Sequence, residues 1–167
     1  MDIQTINQTA RQARRYVVTM NHKAGKGHTG ADLSEIDIIC TLYMAVMDRS
    51  QARPDQDRFI LSKGHGAGGF YCSCAAMGLL DPAVLDQYMG DDTLLAGHPI
   101  HQKLPELVEI NSGGWGMVCR LPSDWHWVTS WRAERIAVPL YCLGMVNWRR
   151  VLTGKLPCPP ANSNWIT

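Results

Sequence analysis

The chain has 167 residues, enough for one domain with a hydrophobic core, and 46% of them are apolar. The formal net charge is +1 and no apolar stretch reaches the roughly 18 residues of a membrane span. Composition therefore favours neither nucleic acid nor a membrane as partner. No basic segment followed by an apolar run comes after Met1, so we expect no signal peptide, a cytoplasmic location, and free thiols rather than disulfides.

The first predicted element is a helix. Apolar residues recur at steps of three and four from Ile3 to Met20, which predicts one helical face packed on a core. The helix is expected to end before Gly25. Arginines 11, 14 and 15 lie mostly off the apolar face, where a solvated surface is the favoured interpretation and a nucleic-acid contact is the alternative.

A loop from Lys23 to Gly30 precedes a second predicted helix. Asp32 or Ser34 is expected to cap this helix, which should run to about Met47. Its apolar stripe is wide enough to be buried on more than one side. The methionines in it are interpreted as core residues, with a Met-rich binding surface as the alternative.

A glycine-rich corner follows the first strand candidate, Phe59 to Leu61. Residues 61–69 read Leu-Ser-Lys-Gly-His-Gly-Ala-Gly-Gly and precede a helix-like run, Phe70 to Leu80. A strand, a corner and a helix begin an α/β unit with its ligand corner at the carboxyl end of the strand. The glycines let backbone approach a ligand, although the corner is neither a Walker loop nor a G-x-G-x-x-G fingerprint. A tight turn with a solvent-facing His65 is an equally good local interpretation.

Two further corners carry a histidine beside glycine. Gly27-His28-Thr29-Gly30 lies upstream and Gly97-His98-Pro99 lies downstream. Three such imidazoles could form a site for acid-base chemistry or hydrogen bonding near neutral pH. Zinc is the competing use, but no His or Cys pair here has the usual ligand spacing.

Between the second and third corners, Asp81 and Pro82 predict a short helix to Met89. Asp81 should be its cap and Pro82 its first helical residue. Cys72 and Cys74 lie two apart on the preceding helix-like run and so point in different directions. They are predicted to be buried apolar residues and not ligands.

Taken together, residues 1–114 resemble the N-terminal part of transketolase, particularly the split form whose two halves are separate chains. The motifs that carry the resemblance occur in family order and at family-like spacing. They are residues 27–34 (Gly-His-Thr-Gly-Ala-Asp-Leu-Ser), 57–66 (Asp-Arg-Phe-Ile-Leu-Ser-Lys-Gly-His-Gly), 97–99 (Gly-His-Pro) and 108–114 (Val-Glu-Ile-Asn-Ser-Gly-Gly).

The resemblance implies a transferase that moves a two-carbon ketol unit between sugar phosphates with thiamine diphosphate and magnesium. It implies that His28, His65 and His98 are active-site histidines, and that His65, Gly113 and Gly114 face the cofactor. It also implies that the partner is a transketolase C-terminal subunit, because the pyrimidine-binding half and the glutamate that activates the cofactor would lie on that chain.

The composition changes sharply after Gly114. Residues 115–167 hold all six tryptophans, five of the nine prolines and only two acidic residues. They show no convincing helix or strand period, and prolines near the end exclude a regular C-terminal element. We therefore divide the chain into a truncated transketolase-like N-terminal domain, 1–114, and an unrelated tail, 115–167. A tail that contacts a membrane surface or nucleic acid is the alternative to unselected sequence.

The genetic code permits a test of this tail. With triplets read one base earlier, the codons from Gly114 onward permit Leu-Gly-His-Gly, and the code fixes both glycines. The codons of residues 144–149 permit Gly-Asp-Gly-Glu-Leu-Ala, of which the second Gly and the Leu are fixed. Both strings resemble the family pattern, and the second opens the motif that holds the metal. We therefore expect a frameshift, one base lost near codons 114–115, with codon degeneracy as the alternative explanation.

The expected fold class is α/β: an incomplete thiamine-diphosphate-binding fold of the transketolase N-terminal kind, mostly helical as encoded, with an irregular tail. Because the metal-binding motif is missing, no residue is assigned as a metal ligand. The chain is expected to be inactive, or nearly so, as encoded. The alternative is a non-catalytic binding partner of a transketolase C-terminal subunit.

Overall fold

The computed structural model describes residues 2–50, 57–61 and 63–112. The described part of the chain is helical and contains no strand. Its elements are α1 (Ile3–Ala24), α2 (Thr29–Thr41), a π-helical turn (Leu42–Val46), a 3₁₀ turn (Gly64–Gly66), α3 (Ala67–Ala76) and a second 3₁₀ turn (Pro82–Gln87).

The first helix follows its sequence pattern. Asp2 caps α1 by accepting a hydrogen bond from the Gln4 amide, and Gly25 ends it in the left-handed region at φ 60°. The predicted end before Gly25 is confirmed. The apolar face is buried from Ala10 to Met20, whereas Ile3, at the start of the predicted stripe, is exposed.

The second helix begins earlier than predicted. Thr29 is its first residue and His28 occupies the N-cap position without a capping side chain. The expected cap by Asp32 or Ser34 is therefore wrong, because both residues lie inside the helix. Asp32 is fully buried and bonds to other elements, and the Ser34 hydroxyl donates to the Ala31 carbonyl at 2.8 Å. The predicted end near Met47 is confirmed, although the last turn is π-helical.

The third helix forms the centre of the core. Every residue of α3 from Ala67 to Ala75 is buried, and the helix packs against both α1 and α2. It begins three residues before the predicted Phe70 and ends at Ala76, short of the predicted Leu80. Gly78, at φ 75°, follows it. A Cβ on Gly69 would lie 2.4 Å from the Asp32 carbonyl oxygen, so α2 and α3 approach closely only because a glycine stands there.

The expected strand at Phe59 to Leu61 is wrong for the described residues. Phe59 and Leu61 are buried in the core, as a strand would require. However, no described segment forms a β-ladder with them, and a strand exists only through such pairing. The α/β class therefore stays a prediction, while the mostly helical character of the N-terminal part is confirmed.

The remaining predictions concern shorter features. Asp81 caps the turn after α3 by accepting from the Ala83 amide at 2.9 Å, as predicted, but the element is 3₁₀. Cys72 and Cys74 are buried free thiols, as predicted. The predicted boundary at Gly114 and the tail 115–167 lie outside the described residues. Within the described ranges, no helix combines the length and apolar character needed to cross a membrane.

Candidate functional site

The His28 corner is shaped by the end of α1 and the start of α2. Gly27 has φ 123°, and a Cβ there would lie 2.5 Å from the Asn21 amide oxygen, so only glycine fits. The His28 carbonyl accepts the Asp32 amide at 2.9 Å and opens α2. The imidazole of His28 is thus held by backbone at the exposed start of a helix.

The His65 corner is a single 3₁₀ turn ahead of α3. The Gly66 amide donates to the Lys63 carbonyl at 2.9 Å and closes the turn around His65. A Cβ on Gly66 would lie 2.4 Å from a carboxylate oxygen of Glu35, so glycine lets this turn rest against α2. His65 itself is half-buried.

The fold brings the predicted histidines together. The rings of His28 and His65 meet edge to face, with centroids 5.7 Å apart and planes at 70°. His98 lies close enough for its charge to act on His65. Burial lowers the pKa of His65 below its ordinary value, and the charges of Lys63, His28 and His98 lower it further, against an opposing effect of Asp32.

The lowered pKa of His65 favours the neutral imidazole, and this sets the chemistry that the three histidines can perform. A neutral imidazole near pH 7 offers one nitrogen as hydrogen-bond acceptor or base and the other as donor. Adjacent imidazoles can therefore orient a polar ligand and exchange protons with it. Among the described residues, no group of three or more His, Cys, Asp or Glu side chains is arranged to hold a metal ion.

Sequence reasoning missed the polar side chains that hold the two corners together. Asp32, which it treated as a cap, accepts the Gly69 amide at 3.0 Å and the Asn21 side-chain amide at 2.9 Å. Asn21 also donates to the Thr29 hydroxyl at 3.0 Å. One buried carboxylate thereby joins α1, α2 and α3 beneath the histidines. The only local signal in the sequence was that Asp32, a polar residue, lies on the face of α2 that is buried in the protein core.

A second missed group is the buried pair of Lys63 and Glu35. The Lys63 ammonium donates to the Ala31 carbonyl at 2.7 Å and to the Ser34 hydroxyl at 2.9 Å. It lies 3.4 Å from a Glu35 carboxylate oxygen. The Glu35 side chain is 1% exposed and the Lys63 side chain 10%. Lys63 lies within a motif that the sequence singled out and Glu35 directly follows another, but their pairing spans α2 and the His65 corner.

The predicted cofactor-facing glycines, Gly113 and Gly114, lie outside the described residues. The chain that leads to them runs beside the third histidine corner, because the Ser112 amide donates to the Pro99 carbonyl at 3.3 Å. His101 fixes the same loop: its Nδ1 lies 2.5 Å from the Val108 carbonyl, and its amide donates to the Asn111 side chain at 2.7 Å. His98 and the approach to the glycine loop are therefore neighbours.

Comparison with known proteins identifies the chain's relatives. A sequence model described as transketolase, thiamine diphosphate binding domain, matches residues 5–119, more than half of the chain. The chain belongs to the transketolase family. The predicted resemblance is confirmed, and the three histidine corners all lie within the part matched to this transketolase domain.

Individual transketolase relatives point to enzymes built from more than one chain. An apulose-4-phosphate transketolase subunit from Actinobacillus succinogenes is 40% identical over 115 residues, 66% of this chain and 41% of the relative. The subunit of the same name from Phocaeicola vulgatus is 31% identical over 119 residues, 70% of this chain and 42% of the relative. Human transketolase is 30% identical over 118 residues, 69% of this chain and 19% of the relative. The matched segment thus spans about two fifths of the two apulose-4-phosphate transketolase subunits.

Proposed function

We propose that the chain is a transketolase-like N-terminal subunit that is inactive, or nearly so, as encoded. The convergence of the His28 and His65 rings, within the influence of His98, is the observation that supports this assignment best. The three histidines come from separate corners that no local element requires to meet. All three histidines lie in the segment that matches the transketolase domain. A cluster of histidines is the arrangement that ketol transfer between sugar phosphates would use.

The described residues suit thiamine diphosphate on one side of its site. Gly27 and Gly66 let their turns pack on Asn21 and Glu35, whereas nothing lies within 4 Å of a Cβ position on Gly30, so a ligand can approach the backbone beside His28 closely. Thiamine diphosphate, when bound, supplies the carbanion chemistry, and the protein supplies orientation and electrostatics. His65 would then contact the cofactor, with Gly113 and Gly114 beside it. The ring nitrogens of His28 and His98 would hold or move protons at the hydroxyls of a sugar phosphate.

The proposed loss of activity follows from residues 115–167. An aspartate, an asparagine and a backbone carbonyl would hold the magnesium, which would in turn hold the diphosphate. In the family a Gly-Asp-Gly string opens the motif that holds this metal, and the string is absent from the encoded sequence. Active-site groups misplaced by about 1 Å can cost roughly 100-fold in rate, so histidines without the rest of their site would contribute little.

A second candidate function is a non-catalytic partner of a transketolase C-terminal subunit. The names of two relatives support it, because each is named as one subunit of its enzyme and so implies another. This role needs only the folded N-terminal part of the chain. The same two names contain apulose 4-phosphate, which makes a sugar phosphate the first substrate class to test if activity is found.

The decisive experiment compares the encoded chain with a frame-restored one. Resequencing codons 105–120 should reveal an adjacent frame that continues as Leu-Gly-His-Gly and later as Gly-Asp-Gly-Glu. A one-base insertion at codons 114–115 then gives the restored chain. In calorimetry with magnesium chloride, we expect thiamine diphosphate to bind the restored chain and not the encoded chain. Magnesium-dependent binding by the encoded chain would show that the proposed inactivity is wrong.

Co-expression tests the second candidate. We expect the encoded chain to co-purify with the other subunit of the Actinobacillus succinogenes apulose-4-phosphate transketolase. The restored chain is the matched positive control. If the restored chain binds the second subunit but the encoded chain remains a monodisperse monomer that does not bind it, the non-catalytic partner role is ruled out.

A further inference from the structure

The backbones that carry His28 and His65 are joined by one side chain. Lys63 lies two residues before His65, and its ammonium reaches the first turns of α2, which begins directly after His28. Its hydrogen-bond acceptors there are the Ala31 carbonyl and the Ser34 hydroxyl. The bridge therefore runs from two residues before His65 to three and six residues after His28.

The imidazoles have no comparable support of their own. Among the described residues, neither the ring of His28 nor that of His65 takes part in a side-chain hydrogen bond. The direction of each ring therefore depends on the backbone turn beneath it. For His65 that turn is closed by the Lys63 carbonyl, which accepts the Gly66 amide. The same residue thus closes the turn and anchors it to α2.

A different residue fixes the helices themselves. Asp32 joins α2 to α3 through the Gly69 amide and to α1 through Asn21. Both contacts lie outside the Gly64–Gly66 turn. Loss of Lys63 would leave the three-helix core tied together and release only the turn that carries His65. Because Lys63 and Asp32 hold different parts of the fold, an experiment on Lys63 can distinguish an effect on ring placement from an effect on overall stability.

We propose that Lys63 is a positioning residue that sets the spacing of the His28 and His65 rings, with Glu35 as its buried neighbour. The proposal deepens the proposed function, on which it rests for the claim that these rings face cofactor and substrate. Lys63 acts on the position of the rings through the backbone turn, and its charge also lowers the pKa of His65. Glu35 lies against the turn at Gly66, with a carboxyl oxygen 3.4 Å from the Lys63 ammonium.

The Glu35 environment allows the bridge to be removed without unfolding the protein. Burial raises the pKa of Glu35 to about 8, while Lys63 opposes the increase and Asp32 adds to it. A carboxyl with a pKa of about 8 holds its proton near pH 7, so removing Lys63 leaves a neutral group in the core. Replacing both partners by apolar residues of similar volume is often neutral or stabilising for a buried ion pair. Lys63→Met and the double variant Lys63→Met/Glu35→Leu are therefore suitable probes.

The experiment is proton NMR on the full chain without cofactor. The six histidines are assigned by single His→Gln variants, and the cross-relaxation peak between the His28 and His65 rings is measured. We expect that peak in the unmodified chain and its loss in Lys63→Met and in the double variant. Lys26→Met is the matched control, because it removes the same charge from the exposed His28 loop and should keep the peak. Circular dichroism of each variant reports helix content.

The outcomes separate positioning from stability. Loss of the ring peak with unchanged helix content and melting temperature supports the proposal. Retention of the peak in the double variant overturns it, and so does its absence from the unmodified chain. Failure of both Lys63 variants to fold also overturns it, because the pair would then act on stability. No cofactor is present, so failure here leaves the calorimetric test of the proposed function unaffected.

Discussion

At the scale of single residues, the site depends on polar groups buried beneath exposed ones. Asp32 and Glu35 lie on one face of α2, three residues apart, and both are almost fully buried. Their partners come from other elements: Asn21 and the Gly69 amide for Asp32, and Lys63 for Glu35. A buried carboxylate needs such partners, because an uncompensated charge in the core is strongly unfavourable. The histidines above them are placed by these anchors.

The first prediction concerns the pH dependence of stability through Glu35. Burial raises the pKa of its carboxyl to about 8 in the folded chain, above the ordinary value of 4.5. The folded state therefore binds more protons than the unfolded state between these values. Stability should be greatest below about pH 4.5 with respect to this group, fall as pH rises, and level off above about pH 8. One proton gives a slope of at most roughly 1.4 kcal/mol per pH unit.

Urea unfolding at several pH values measures this effect. Glu35→Gln keeps the shape of the side chain and removes the titration, so its stability should vary less with pH across the same window. Asp37→Asn is the control, because Asp37 lies on α2 but is exposed and pairs at the surface with Arg14. Equal pH profiles for Glu35→Gln and the unmodified chain would contradict the prediction.

At the scale of elements, two close approaches decide how the helices pack. In α3, Gly69 faces the backbone of α2 at Asp32 and Gly68 faces the Asp32 side chain, and the resulting contact brings the His28 and His65 corners within reach of each other. Side chains at these positions would separate α2 from α3. The glycine-rich corner thus serves helix packing as well as access for a ligand, a second use that a linear sequence does not distinguish.

The second prediction uses two glycines to test this contact. Gly69→Ala places a Cβ 2.4 Å from the Asp32 carbonyl oxygen, a backbone atom, and should destabilise the chain by about 1–3 kcal/mol. Gly30→Ala is the matched control: nothing lies within 4 Å of its Cβ position and it occupies the first turn of α2. Reduced freedom of the unfolded chain should make it neutral or stabilising by up to roughly 1 kcal/mol.

Thermal unfolding followed by circular dichroism compares the two variants under one condition. The expected order of melting temperatures is Gly30→Ala at or above the unmodified chain, and Gly69→Ala clearly below it. Similar melting temperatures for the two variants would show that α2 and α3 do not depend on the glycine contact.

At the scale of the whole molecule, segments far apart in sequence close around the helices. Arg58 pairs with Glu109 at 3.1 Å and joins the segment before the His65 corner to the segment before Gly113. The Tyr71 hydroxyl donates to the Ala96 carbonyl at 3.1 Å and ties α3 to the chain just before His98. All three histidine corners therefore belong to one packed unit.

The third prediction tests whether this unit unfolds as one. Cys40, Cys72 and Cys74 are buried, and burial raises the pKa of each thiol, that of Cys74 to about 12. Thiolates are the reactive form, so these groups should resist Ellman's reagent while the core is intact. In a variant whose other three cysteines are serine, labelling during a urea titration should follow the loss of helical circular dichroism.

A contrasting variant sharpens the thiol measurement. A cysteine introduced at the exposed Val18 should react at once in the folded chain and serves as the accessible reference. Rapid labelling of Cys72 or Cys74 at full helix content would show that α3 opens locally and that the three corners do not form one cooperative unit.

The sequence alone determined the features that local chemistry controls. The three- and four-residue spacing of α1, its end at Gly25, the Asp81 cap and the three histidine corners all follow from patterns within a few residues. The family also followed from short motifs in order, and the comparison confirmed it. Only the tertiary structure decided that Asp32 joins three helices and that Lys63 reaches back to α2. The partners lie too far apart in sequence for local patterns to pair them: Lys63 and Ser34 are 29 residues apart, and Asp32 and Gly69 are 37 residues apart. The tertiary structure likewise left Phe59 to Leu61 without a strand among the described residues, since a strand is a property of its neighbours and not of its own sequence.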